Sequence, residues 1–312
     1  MKQRQLEPDE LTDQAIAQGD FFGVTGGKLS CIWRFDGTTG VRVGIPNPDH
    51  RSMVTLGQGQ TLRAALSGLP LFNGATFVIH RMTLPPGGYY PHIARPSDQH
   101  PNEAAGFAIG YSQELAIESL SQVRSLVEML DAIFGMVHPS NKNLDCYGTA
   151  IRNLLILACT ECEAQWRGIL TANGYSTLRY TTADYVKLLP ALRLAEYQVA
   201  LRHYPSLPAV APFCGWDASQ PTKSVAWYDD YNAAKHDRVS NFDRATLRAA
   251  YEAVCAVWIV VIAQYGIVAK KWFDDLDNYF KLESGPLWRY SDVYTIPYDG
   301  SKAQAGPVNY PF

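Results

Sequence analysis

The sequence predicts a mainly α protein. A helical bundle covers residues 111–282, an irregular β-containing cap precedes it over 1–110, and a coil tail follows over 283–312. Three observations predict this. From Ser112 onward, apolar residues recur at helical spacing between start and stop signals. Residues 1–110 are instead rich in Gly, Pro and Asn, with only short β-like runs. The segment from Glu283 is dense in Tyr, Pro and Gly, which reads as coil.

In the cap, Leu29–Phe35, Val41–Ile45 and Thr76–Leu84 are the strand candidates, and Thr61–Leu66 suits a short helix. Leu115, Leu120, Val123, Leu126, Val127, Leu130 and Ile133 form the apolar face of a helix that opens at Ser112. It must end near His138-Pro139, because proline lacks an amide hydrogen and its ring clashes with the preceding turn. A second helix runs from about Tyr147 to Ala172 and stops at Asn173-Gly174. Thr182-Ala183-Asp184 opens a third, reaching about Arg202 with a kink at Pro190. The loop from Tyr204 to Lys223 carries Pro205, Pro208, Pro212 and Pro221, and its Phe213 and Trp216 are expected to tuck into the core. Ser224–Arg238 and Asp243–Tyr265 are further helices, the second closed by Gly266, and Lys271–Leu282 makes a last short one.

With 312 residues and 47% hydrophobic content, the chain is long enough to bury a sizeable core. Its net charge of −3 provides no global basic field, so any phosphate-binding surface must be local. The N-terminal MKQRQLEPDELTDQ has no apolar run after its basic residues, which predicts no signal peptide and a cytoplasmic protein. The most apolar run, Ala253–Ala263, is about 11 residues, short of the roughly 20 that cross a bilayer; it predicts a buried helix and no membrane partner. Six scattered cysteines do not suggest a disulfide framework. Cys159-x-x-Cys162 has no second ligand pair at matching spacing, so both read as small buried hydrophobes, and neither a metal nor a cofactor is expected. Gly23-Val-Thr-Gly-Gly27-Lys28-Leu29 is one residue short of a phosphate-binding loop and has Leu where Ser or Thr would hold Mg²⁺.

Chemistry concentrates in Trp227-Tyr228-Asp229-Asp230-Tyr231-Asn232-Ala233-Ala234-Lys235-His236-Asp237-Arg238. On a helix, Asn232 and His236 share a face, with Asp229 one turn earlier. His236 is suited to acid–base work near neutral pH, Lys235 and Arg238 to holding phosphate, and Tyr231 or Trp227 to stacking a base. On the Tyr147–Ala172 helix, Arg152, Cys159 and Glu163 fall on roughly one face, and a glutamate there is placed to orient His236 or neutralise Arg238.

The Asn-x-x-Lys-His-x-Arg arrangement, late in a helical region, resembles the HEPN superfamily (higher eukaryotes and prokaryotes nucleotide-binding). Tyr204-Pro205, Pro212-Phe213, Trp216 and Trp227-Tyr228 extend the resemblance over perhaps residues 111–270 to an uncharacterised bacterial branch. It implies a helical, often dimeric protein that binds RNA or a nucleotide, and a metal-independent ribonuclease of bacterial defence. In that version His236 is the acid/base, Asn232 positions it, Lys235 and Arg238 hold phosphate, and Asp229 or Glu163 tunes charge. Active family members carry an arginine shortly before the histidine; Tyr231, Asp230 and Asp229 stand at those positions here, so Arg238 has to supply the cation.

The same helix also reads as an ordinary solvated face with weak ion pairs, its Asn232 and His236 pinning it to the long loop. The protein is then an inactive scaffold whose cap binds another protein. A third reading, a small-molecule enzyme with 204–223 as a lid, requires a deep pocket beneath that loop.

Overall fold

The computed structural model describes residues 21–26, 29–43, 53–72, 76–97, 109–237, 239–272, 274–295 and 306–312. The fold is mixed, 46% helix and 16% strand. This corrects the mainly α expectation, because the region read as an irregular cap holds a five-stranded antiparallel sheet. The chain divides into two compact units. The first takes in the described residues of Met1–Tyr89, Arg95–Ala104 and Leu287–Val308; the second takes in those of Tyr90–Ala94, Ala105–Pro286 and Asn309–Phe312.

In the first unit the strands are β1 (Phe21–Gly26), β2 (Leu29–Phe35), β3 (Thr39–Val43), β4 (Met53–Thr55) and β5 (Val78–Arg81), with helix α1 (Leu62–Ser67) between β4 and β5. The sheet order is β4-β3-β2-β1-β5. Strand alternation sends Phe22 and Val24 of β1, and Cys31, Trp33 and Phe35 of β2, to one face. There they pack with Leu62 and Leu66 of α1 and with Phe72 and Phe77. The β2–β3 turn is fixed by Asp36, whose Oδ1 accepts the amides of Thr38 (3.0 Å) and Thr39 (2.6 Å), with Gly37 at φ 102°. The end of the expected Val41–Ile45 strand lies outside the described residues.

The opposite face is covered by the segment expected to be coil. Ile32 and Met82 pack there against Tyr290 and Val293. Tyr290 lies so close to β1 that a Cβ on Gly23 would sit 2.3 Å from its ring, so only glycine fits. The contact is held by hydrogen bonds from the Thr83 amide to Ser291 O and from the Thr83 hydroxyl to Asp292. Farther along, β6 (Gly88–Tyr89) pairs in parallel with Gly306–Pro307, the last strand of the chain. The tail forms a layer of the sheet unit because its aromatic side chains complete a core laid down more than 200 residues earlier.

The second unit is helical, with a small ribbon. Its main helices are α2 (Gln113–Phe134) and α3 (Thr149–Ala172), then two short ones, α4 (Thr182–Tyr185) and α5 (Leu188–Leu192). Strand β7 (Gln198–Leu201) follows, then α6 (Ala226–His236), α7 (Leu247–Trp272), α8 (Asp274–Tyr279) and strand β8 (Phe280–Ser284); the terminal Gly306–Pro307 strand is β9. Helix α7 packs against α2, α3 and α6. From Leu247 to Tyr265 every residue except Arg248 and Glu252 is buried, as a helix apolar on all sides requires. Leu247–Gly266 is long and apolar enough to cross a membrane, but 89% of that window is buried inside the protein. The expected stop at Gly266 is a break in α7: its φ of 58° and ψ of −144° interrupt the helix, which resumes to Trp272.

The expected third helix does not reach Arg202. Arg193 takes a left-handed conformation (φ 52°) that ends α5, and β7 then pairs antiparallel with β8. That pairing also shortens the expected Lys271–Leu282 helix, whose last residues enter the strand. The long loop behaves as expected: Phe213 and Trp216 are buried and join Trp227 and Tyr228 around the Trp166 ring. Its entry is fastened to α2 by Asp131, which accepts the hydroxyls of Tyr204 and Tyr279 at 2.7 Å each. Burial, with the Asp131 bond, pushes the Tyr204 phenol up to about 12.

Helix α4 is opened by Asp184, which accepts the Thr181 amide (2.8 Å) and hydroxyl (2.9 Å) and the Tyr175 hydroxyl. The Tyr175 bond holds the Asp184 carboxyl below the usual range. The unfolded chain therefore takes up this proton first as pH falls. The stabilisation is full above the unfolded value near 3.9 and is lost as pH drops through the folded one. Asp184→Asn is expected to cost about 1 kcal/mol at pH 7. Denaturant melts from neutral to strongly acidic pH should show that difference shrinking toward zero at the acidic end; a constant difference would contradict the assignment.

Candidate functional site

Helix α6 carries the motif singled out in the sequence. Trp227, Tyr228, Tyr231 and Ala234 form its buried stripe at helical spacing. Trp227 is 1% exposed and donates its indole N–H to Pro212 O (2.9 Å); Tyr231 is 0% exposed. Neither offers a ring face to a base, which removes the stacking role expected of them. The polar residues are likewise engaged within the protein. Asn232 donates its amide to Tyr228 O one turn back (2.9 Å), and Lys235 Nζ donates to the Tyr231 hydroxyl (2.6 Å). That bond raises the Lys235 ammonium pKa.

Glu163, on α3, accepts the Tyr228 hydroxyl (2.7 Å), so it braces the helix rather than orienting His236. Burial, then the Glu163 bond, pushes the Tyr228 phenol far up. Asp229 and Asp230 are both taken by Arg244, at 2.6 and 2.7 Å. Burial raises the Asp230 carboxyl even so, with Arg244 pulling the other way. Arg152, from α3, donates to Ala234 O through Nη2 (3.1 Å) and Nε (3.4 Å). His236 ends the helix, exposed, and makes no hydrogen bond with another described residue. Arg238 lies outside the described residues.

Lys235, His236 and the Arg152 guanidinium thus gather at the carboxyl end of α6. That end carries the negative pole of the helix dipole and its unpaired carbonyls. Cations there stabilise the helix, whereas an incoming phosphate would meet carbonyl oxygens. Nor does any open cavity adjoin the long loop: the cleft described below takes none of its lining from 204–223.

The cleft lies elsewhere in the same unit, between α2, α3 and α7, with a volume of about 560 Å³. Its back wall is Gln264, 1% exposed, an amide in the otherwise apolar buried length of α7. Gln264 donates to Gln165 Oε1 on α3 (2.8 Å). Gln165 in turn donates both N–H groups, to Ser119 Oγ on α2 (3.0 Å) and to the Glu161 carboxylate (2.6 Å). His92 completes the chain, with Nδ1 3.3 Å from Gln264 Oε1. Because the Gln264 oxygen is an acceptor, that bond makes Nδ1 the protonated nitrogen.

His92 is put there by the backbone. Asn173 donates to Pro91 O (2.7 Å) and the Ala94 amide donates to Ala263 O (2.8 Å), so both flanks of the turn are anchored. Between them His92 adopts φ 56°, a left-handed conformation that costs a non-glycine residue about 1 kcal/mol. Burial lowers the imidazole pKa, partly countered by the Gln264 bond, so the ring is neutral at pH 7.

Sequence reading missed this site. Its members are spread over residues 92–265 and form no motif. One signal was present: Gln264 closes the most apolar run of the chain. A second was Gly168, in the middle of α3, where glycine weakens a helix by roughly 1 kcal/mol relative to alanine. A Cβ at Gly168 would meet nothing within 4 Å, so packing does not demand the glycine; it lines the cleft.

No family model, curated protein or solved structure matches this chain.

Arg244→Ala should lower stability by about 1 kcal/mol, since its ion pairs are partly exposed, and His236→Ala should change it by less than about 0.5 kcal/mol. Urea melts of the two variants check this. Equal losses would contradict the division between a clamped face and a free end.

Proposed function

We propose that this chain is a ligand-binding protein whose site is the cleft between α2, α3 and α7, with α6 serving the fold. The observation that carries this reading is Gln264, whose amide lies at 1% exposure yet lines an open cleft. Taking amides and a carboxylate out of water costs free energy that a leucine in the same place would not incur. A connected polar chain running from a buried helix to a cavity suits recognition: an apolar-walled recess with a few fixed polar groups.

Binding fits the residues better than turnover does. Ser119 is the hydroxyl within the network, and it donates to Leu115 O in its own helix (2.8 Å), with no base bonded to it in nucleophile–base fashion. At α6, only His236 is unengaged, and an imidazole alone at the negative end of a helix lacks the groups that hold a phosphate.

Gly168→Phe fills the cleft from a position with open space around it. In a thermal-shift screen of small polar compounds, those that raise the wild-type melting temperature should not raise that of Gly168→Phe. A ligand at one hundred times its Kd contributes about 2.7 kcal/mol, well within detection. Shifts of equal size in both proteins would contradict the cleft as the site. Labelled RNA incubated in EDTA should be left unchanged equally by wild type and His236→Ala. Cleavage by wild type that disappears in His236→Ala would overturn the structural role given to α6.

A further inference from the structure

We propose that the ligand taken by this cleft is a small organic cation, an alkylammonium compound. This inference rests on the cleft being the binding site. Three features of the lining point to it independently.

The first is charge. The ionised side chains that line the cleft are Glu118 on α2 and Glu161 on α3, and neither lysine nor arginine lines it. His92 adds no positive charge at neutral pH. A phosphate or carboxylate would therefore enter against two carboxylates with nothing to bind it, while an ammonium group meets both.

The second is hydrogen-bond polarity. Donors along the network point inward and end on Glu161. Both N–H groups of Gln165 are consumed, His92 Nδ1 is turned to Gln264, and the Ser119 hydroxyl is turned to Leu115 O. The carboxylates of Glu118 and Glu161 accept only. A ligand completes this arrangement by bringing donors, which an ammonium group does and an anion does not.

The third is the aromatic wall. Tyr265 lines the cleft, with the His92 ring edge-on to it at 5.8 Å and the Tyr111 ring edge-on at 6.2 Å. Aromatic faces carry the negative end of the ring quadrupole and attract alkylammonium groups. Leu115 and Ile117, 47% and 39% exposed at the mouth, offer apolar contact for the alkyl portion. The open space at Gly168 leaves room for it.

The test uses the full chain and four probes of similar size: n-butylammonium, butyltrimethylammonium, n-butanol and butyrate. Isothermal titration should rank both cations at least tenfold tighter than butanol, a difference of about 1.4 kcal/mol, with butyrate weakest. Glu161→Gln keeps a bond to Gln165 and should retain the wild-type melting temperature, yet weaken the cations about tenfold and leave butanol unchanged. Gly168→Phe should abolish binding of the whole series. If butanol or butyrate binds as well as the cations, and Gly168→Phe still abolishes it, the cation assignment is overturned while the cleft remains the site. If cation binding survives Gly168→Phe, the cleft reading itself fails. No binding of any probe by wild type at millimolar concentration also overturns the cation assignment.

Discussion

The helical unit depends on the burial of α7. A helix apolar on every side cannot face water, so α2, α3 and α6 must surround it, and their own apolar stripes are spent in doing so. Arg248 and Glu252 are the only residues of its first 19 that reach partial exposure. Against that background one buried amide, Gln264, sets the polar architecture. It needs partners, and Gln165 of α3 and His92 of a returning turn supply them. The cleft is the place where the envelope around α7 stays open beside those partners.

The same constraint explains α6. A short helix with a polar outer face gains little from propensity alone and holds by packing Trp227, Tyr228 and Tyr231 inward. Each buried phenol or indole then needs a partner for its polar atom, and Pro212 O, Glu163 and Lys235 fill those places. Asp229 and Asp230 would repel each other at the start of the helix without Arg244 between them. Residues that resemble a phosphate-handling set when written in a line are, in three dimensions, the fastenings of one helix.

Much of the helical unit was legible in the sequence because its signals are local. Ser112 accepts the Leu115 amide at the start of α2, and Asn173-Gly174 ends α3 as expected. Strands β2 and β5 fall where the β-like runs are. What was not legible depends on partners far away in the chain. Gly23 looks like a strand breaker until Tyr290 is seen lying against it, and Gln198–Leu201 passes for the end of a helix until β8 arrives beside it. The candidate site followed the same rule. The α6 motif was visible because it is contiguous, and it misled for that reason, whereas the cleft is assembled from single residues on α2, α3, α7 and the His92 turn. Only the position of Gln264 at the edge of an apolar run hinted at it.

The central claim is that recognition happens at the cleft and not at α6. The most direct measurement is a titration of n-butylammonium into isotope-labelled protein, followed through the side-chain amide resonances of Gln165, Gln264 and Asn232. The account predicts saturable shifts for Gln165 and Gln264, which lie on the ligand-side network, and none for Asn232. Shifts at Asn232 and the His236 ring, with Gln165 and Gln264 unmoved, would contradict it.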